Sequence, residues 1–195
     1  MTPEEGRAWR KVERTRLIAA RMAMSDADHR AASQAITEAL AKHFPVESLP
    51  LLGCYWPFRR EYNVVPLMRR VVEAGGQIAL PVVLEKGKPL EFRPWTHGCK
   101  MDLGVWDIPH PAEGPAVIPG ALLIPVVGFD EAGYRLGYGS GFYDMTIAAM
   151  PSKPICIGVG FELQRMETIH PHPLDVPMDY IITEAGLVHT LAAAN

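Results

Sequence analysis

The sequence is short of most features that would assign it to a specialised class. Its three cysteines, Cys54, Cys99 and Cys156, are odd in number and far apart. That is neither a disulfide framework nor a zinc-site spacing, and it leads us to expect reduced thiols in a cytoplasmic setting. No apolar run approaches the ~20 residues that span a bilayer, and the charged start lacks a signal-peptide core, so no membrane role is expected. Positive charge is not in excess: the formal net charge is −3, which argues against a nucleic-acid partner. There is no internal repeat, no low-complexity tail and no nucleophile elbow, and nothing points to a covalent Ser or Cys catalyst. Cys156 lies inside an apolar run and reads as packing. What remains is the composition of a single globular domain, 195 residues with 48% hydrophobic and 21% charged side chains, long enough for a sizeable core.

The most informative stretch runs from Leu122 to Ala149. Leu122 to Phe129 is nearly all apolar, the pattern of a strand covered on both faces. Asp130 to Gly133 is turn chemistry. Gly137, Gly139 and Gly141 then occupy alternate positions, and a short helix is expected from Phe142 to Ala149, stopped by Pro151. Backbone without Cβ atoms can turn several N–H groups toward one point, and a helix N-terminus adds the positive end of its dipole. Phosphate is therefore the leading candidate ligand. The spacing is neither the Walker pattern nor G-x-G-x-x-G, and a glycine-rich connection pressed against a neighbouring strand would read the same way.

Ahead of this stretch, Glu4 to Met24 reads as a helix whose Arg7, Arg10, Lys11, Arg14 and Arg21 share a broad stripe. The stripe is either a solvated face or a source of cations for an anionic ligand. Ser25 with Asp28 resembles a capping box opening a second helix through about Phe44, with Ala31, Ala35, Ile36, Ala39 and Leu40 inward and Pro45 closing it. Strands are expected at Leu51–Trp56, Gln77–Leu84, Leu90–Trp95, Pro154–Phe161 and Tyr180–Thr183, and a third helix at Val65–Ala74. Gly98–Pro119, rich in Gly and Pro, reads as a surface excursion. Strands alternating with helices predict a mostly parallel sheet covered on both faces. Ligands sit beyond the carboxyl ends of such strands, which places the loops after Trp56, Phe129 and Phe161 together.

Those loops carry the other candidate groups. Glu61 is either solvated or a ligand contact. Asp144, in the first turn after the glycines, either compensates the helix dipole or holds a divalent cation against phosphate. Asp175 and Asp179 lie in PHPLDVPMD and could add a second carboxylate. His170 and His172 lack a third soft ligand and read as loop residues.

The run FDEAGYRLGYGSGFYD resembles the signature of the 5-formyltetrahydrofolate cyclo-ligases, F-D-x-x-G-x-R-L-G-x-G-x-G-[YF]-[YF]-D, and YWPFRRE, ALPVV, GVWDIPHP and MDYIITE extend the resemblance almost end to end. The resemblance implies a single α/β/α three-layer sandwich with a mostly parallel sheet (NagB/RpiA/CoA-transferase-like). It implies ATP- and Mg²⁺-dependent closure of 5-formyltetrahydrofolate, possibly polyglutamylated, to 5,10-methenyltetrahydrofolate, with a monomer expected. In this reading the formyl oxygen attacks the γ-phosphate and N10 adds to the activated carbon. Arg10, Arg14 and Arg135 through Tyr143 (Arg135, Leu136, Gly137, Tyr138, Gly139, Ser140, Gly141, Phe142, Tyr143) would hold ATP, with Arg135 and Tyr143 in catalytic roles. Trp56, Glu61 and the loop from Tyr138 to Phe142 would contact folate, and Asp144 and Asp175 would hold the metal.

The sequence departs from the family pattern at several places. Tyr138 and Ser140 stand where many members carry a basic loop residue, Met145 where Arg is frequent, Gly120-Ala121 where Pro-Asp is, and Leu174-Asp175 where His-Asp is. Two alternatives stay open: another ATP-using enzyme on the same scaffold, and a non-catalytic folate- or nucleotide-binding protein.

Overall fold

The computed structural model describes residues 2–45, 49 and 51–190. It begins with two helices, α1 (Pro3–Met22) and α2 (Asp26–His43). Thr2 and Glu5 form a reciprocal capping box at the first, and the Ser25 hydroxyl caps the second by accepting from the Asp28 N–H, so each start is fixed by a side chain that satisfies an otherwise orphaned donor. The inward face of α2 differs from expectation. Ala32, Ser33, Ile36 and Leu40 are buried, Ala31 is exposed, and Ala35 and Ala39 are half-buried. The helix is rotated toward Ser33, whose hydroxyl receives the Asn63 N–H.

The remaining elements are β1 (Leu52–Gly53), α3 (Val65–Glu73), β2 (Ile78–Val82), β3 (Glu91–Trp95), β4 (Met101–Leu103), β5 (Pro109–Pro111), β6 (Ala121–Pro125), β7 (Gly128–Phe129), β8 (Arg135–Leu136), α4 (Phe142–Ala149), β9 (Ile155–Val159), β10 (Tyr180–Thr183) and β11 (Gly186–Thr190). Seven strands form one sheet in the order β11-β10-β9-β6-β1-β2-β3. The inner five pair in parallel, and the edge strands β3 and β11 are antiparallel to their neighbours. The chain moves outward from β1 to β2 and then returns to place β6 on the other side of β1, so the connection reverses between β1 and β6. Open α/β sheets bind ligands at such a reversal, beyond the carboxyl ends of the strands.

Alternation along the strands divides the core in two. Ala121, Leu123, Ile157, Val159 and Ile182 face α2 and α3, while Leu122, Ile124, Cys156 and Ile181 face Ile147 of α4. This is the expected three-layer α/β/α arrangement. Helix α1 instead rests Leu17 against Val127, Leu136 and Ile169, in a third cluster beside the β7–β8 ribbon.

The run from Leu122 to Phe129 is not one strand. It breaks after Pro125, and Gly128–Phe129 pairs with Arg135–Leu136 in a separate ribbon. Fully buried Gln164 donates its side-chain amide to the carbonyls of Val126 and Val127, satisfying at the break the acceptors that a continuous ladder would have used. The Asp130–Gly133 turn forms as expected, with Gly133 at φ 87° and its N–H on the Asp130 carbonyl. The Gly98–Pro119 excursion carries the β4–β5 hairpin, and β11 is an added edge strand.

Candidate active site

A cavity of about 260 Å³ lies at the reversal between β1 and β6. It gathers every site residue that the family resemblance implies: Arg10, Arg14, Trp56, Glu61, the whole run from Arg135 to Asp144, and Asp175. The loop after Phe161 does not reach it. That loop turns back through Gln164 to hold the strand break, and the later segment carrying Asp175 takes its place on the lining. The hairpin excursion also lines the cavity, through Gly104 to Trp106, Ile108 and His110. Sequence reading missed this because nothing local indicates which way an excursion folds.

The first wall is the turn after β1. Arg59 and Arg60 both adopt left-handed backbone, at φ 47° and 57°, a conformation that persists in L residues only where the surroundings fix it. Here the helices fix it. Arg21 of α1 donates to the Arg59 carbonyl at 2.9 Å, the Arg60 guanidinium is bound by Met24, Ser25 and Asp26, and the His29 ring contacts the Arg60 and Glu61 carbonyls. The turn drives Glu61 inward, leaving it 4% exposed. Its Oε2 accepts the Phe58 N–H at 2.9 Å and its Oε1 accepts the Tyr138 hydroxyl at 3.0 Å. Burial, opposed by Arg21, pushes its carboxyl up to about 7. Glu61 is therefore a buried carboxylate with a small set of fixed donors, not a solvated loop residue.

The second wall is the glycine loop. Gly139 and Gly141 take φ 99° and 67°, and Gly141 caps α4 without a side-chain acceptor. Among the described residues, the N–H groups of Tyr138, Gly139, Ser140 and Gly141 donate to no protein acceptor. Arg14 reaches in from α1 and donates to the Gly137 carbonyl at 2.7 Å. Of the basic stripe, Arg7 and Lys11 are exposed, Arg10 and Arg14 are half-buried on the cavity, and Arg21 is buried behind it. The stripe is thus both solvated face and cation source. Burial, and then the charge of Arg10, lower the Arg14 pKa; a bound anion would relieve that cost.

Arg135 joins Asp144 at 2.9 Å, and Asp175 sits 3.4 Å from Arg10. Among the described residues, no group of three or more His, Cys, Asp or Glu gathers to hold a metal. Two hard oxygen donors on one cavity still suit Mg²⁺, which takes one or two carboxylates and completes its shell with phosphate and water. Burial, and then the charge of Glu61, raise the Tyr143 phenol, which therefore stays protonated and able to donate. Cys156 is buried with its thiol raised to about 11, consistent with packing. Asp179 is turned to the Cys156 N–H and Lys153, away from the cavity. The His170 carbonyl accepts from Arg10 and its ring packs on Trp9.

Fold and cavity together define an open α/β protein with a candidate ligand cavity at the sheet reversal, a buried carboxylate facing a glycine loop. The chain belongs to the 5-formyltetrahydrofolate cyclo-ligase family, whose model matches residues 6–184. It is 30% identical over 144 residues to the 5-formyltetrahydrofolate cyclo-ligase of Mycolicibacterium smegmatis, covering 69% of this chain and 74% of that one. The fold matches that of Aquifex aeolicus 5,10-methenyltetrahydrofolate synthetase with a TM-score of 0.83 at 24% identity, over 95% of this chain and 94% of the other. It matches the Mycoplasma pneumoniae 5,10-methenyltetrahydrofolate synthetase with a TM-score of 0.74 at 23% identity, over 90% and 98% of the two chains.

Proposed function

We propose that this protein converts 5-formyltetrahydrofolate and ATP into 5,10-methenyltetrahydrofolate, ADP and phosphate. The observation that carries this reading is the pairing, in one cavity, of a buried carboxylate with a loop whose successive N–H groups have no protein acceptor among the described residues. A pterin presents an amino group and a ring N–H, which a carboxylate can accept together. A triphosphate presents oxygens for the loop amides, the α4 N-terminus, Arg10 and Arg14. At about 260 Å³ the cavity is below the usual size for even one drug-sized ligand, so it holds the reacting ends while the adenosine and glutamate ends extend outward.

The chemistry then needs alignment and charge neutralisation more than a protein nucleophile. The formyl oxygen attacks the γ-phosphorus and the bond to the β-phosphate oxygen breaks, releasing ADP. N10 adds to the activated formyl carbon and loses its proton, and the C–O bond breaks to release phosphate. Glu61 and Trp56 orient the pterin, the loop from Arg135 to Tyr143 holds the phosphates, and the Tyr143 phenol donates to developing negative charge. Asp144 and Asp175 would hold Mg²⁺, which neutralises phosphate charge when bound. Arg135 sets the position of Asp144.

The test is the absorbance of the methenyl product on mixing purified protein, 5-formyltetrahydrofolate, Mg²⁺ and ATP. An ATP-dependent rise is expected. Tight folate binding without that rise would overturn the catalytic reading in favour of a binding protein.

A further inference from the structure

Behind the cavity, the Arg21 guanidinium is 1% exposed. It reaches three separate parts of the chain, donating to the Arg59 carbonyl at 2.9 Å, the Val126 carbonyl at 3.3 Å and the Tyr138 hydroxyl at 2.7 Å. The Tyr138 hydroxyl donates in turn to Glu61 Oε1, while Arg21 stays 4.0 Å from that carboxylate. The cation therefore acts on the acid directly through its charge and, by a second route, through the phenol that it orients. Each link finds a hydrogen-bond partner in the next, as a buried polar chain requires. We propose that Arg21 and Tyr138 are positioning residues. The phenol, oriented by the guanidinium, fixes the Glu61 carboxylate and ties the middle of the glycine loop to the opposite wall, so that the folate contact and the phosphate loop are set as one unit.

The inference rests on the proposed reaction and deepens it by naming residues that touch the substrate's carboxylate partner from behind. The groups facing Glu61 are Arg21 from α1, Tyr138 from the glycine loop, Tyr143 from α4, Tyr55 beyond β1 and the Phe58 N–H of its own turn, with His29 of α2 on its main-chain carbonyl. Both Arg21 and the Tyr138 hydroxyl favour the ionised carboxylate, and burial opposes them. Removing the hydroxyl raises the Glu61 pKa further, so folate binding that needs the carboxylate is lost at a higher pH.

Three variants test this: Tyr138→Phe, which deletes one oxygen, Glu61→Gln, and the double variant. The readouts are the pH dependence of folate affinity and the separate values of kcat and KM. Tyr138→Phe is expected to raise the folate KM about tenfold, the effect of losing one hydrogen bond to a charged group. It should change KM by a larger factor than kcat and move the acid limb of folate binding to higher pH. On the Glu61→Gln background the same change is expected to add less than about twofold, since its target is gone. A merely structural tyrosine would lower Tm without moving the pH profile. A Tyr138→Phe profile superimposable on wild type, or full additivity in the double variant, overturns the inference alone. Absence of any folate-dependent signal from the wild-type protein overturns the underlying reading as well.

Discussion

Arg135 and Asp144 meet at 2.9 Å across the base of the glycine loop, one just before the glycines and the other just after them. Both also hold Val176, Arg135 through its carbonyl and Asp144 through its N–H. The loop is therefore stapled at its root while its middle stays open to a ligand. An arginine 8% exposed is anchored by the same carboxylate that we propose holds Mg²⁺.

That double duty makes Asp144→Asn informative. Asparagine keeps an oxygen for the Val176 N–H but loses the charge. The Mg²⁺ concentration for half-maximal activity is expected to rise about tenfold, equivalent to ~1.4 kcal/mol. A magnesium titration unchanged from wild type would remove Asp144 from the metal site.

Replacing Glu61 with alanine separates the two walls. The folate dissociation constant should rise at least tenfold, in line with ~1.5–3 kcal/mol for a charged hydrogen bond, while ATP affinity falls by a smaller factor. Calorimetric titration with each ligand checks it, and collapse of ATP binding with unchanged folate binding would reverse the assignment of the walls.

The same carboxylate makes stability depend on pH. Its native pKa of about 7 lies above the ordinary value of 4.5, so between those values the native state binds more protons than the unfolded chain. Stability then falls as pH rises from about 4.5 to 7 and stays low above it. Glu61→Gln removes this cost, on the order of 3 kcal/mol. Its Tm relative to wild type is therefore expected to be higher at pH 8 than at pH 4.5, and equal differences at the two pH values would refute the shift.

Two glycines should respond differently to alanine. At Gly139, φ is 99° and an added Cβ would stand 3.1 Å from the Arg14 guanidinium carbon, so strain of ~1–3 kcal/mol is expected in Tm, with loss of nucleotide affinity. At Gly137 an added Cβ meets nothing within 4 Å, and Tm should hold. If the loop cradles phosphate, Gly137→Ala will still weaken nucleotide binding through close approach of the ligand. Unimpaired ATP binding by that variant would show that the ligand does not pass there.

The layered sheet was legible because period-two burial and helix caps are local. Ser25 and Pro151 mark their helix ends, and the Tyr180–Thr183 strand lies where its apolar pattern places it. What local pattern could not carry was decided at a distance. The apolar run through Phe129 looks continuous, yet Gln164, dozens of residues away, satisfies the carbonyls where it breaks. Glu61 looks solvated until Arg21 and His29 fold the turn beneath them. Arg21 shares a helix stripe with exposed Arg7, and periodicity alone does not say which part of a stripe another segment will cover. The family signature supplied the candidate site residues that spacing left open, and the fold brings them to one cavity.

Because Arg10, Arg14 and Arg21 ride a single rod, its pitch fixes their spacing: about 6 Å along the axis from the first to the second and about 10.5 Å more to the third. They work like teeth cut on one key. Inserting a single residue between Arg14 and Arg21 would swing one tooth about 100° relative to the others and throw the lock out of register, even though every arginine would still be present.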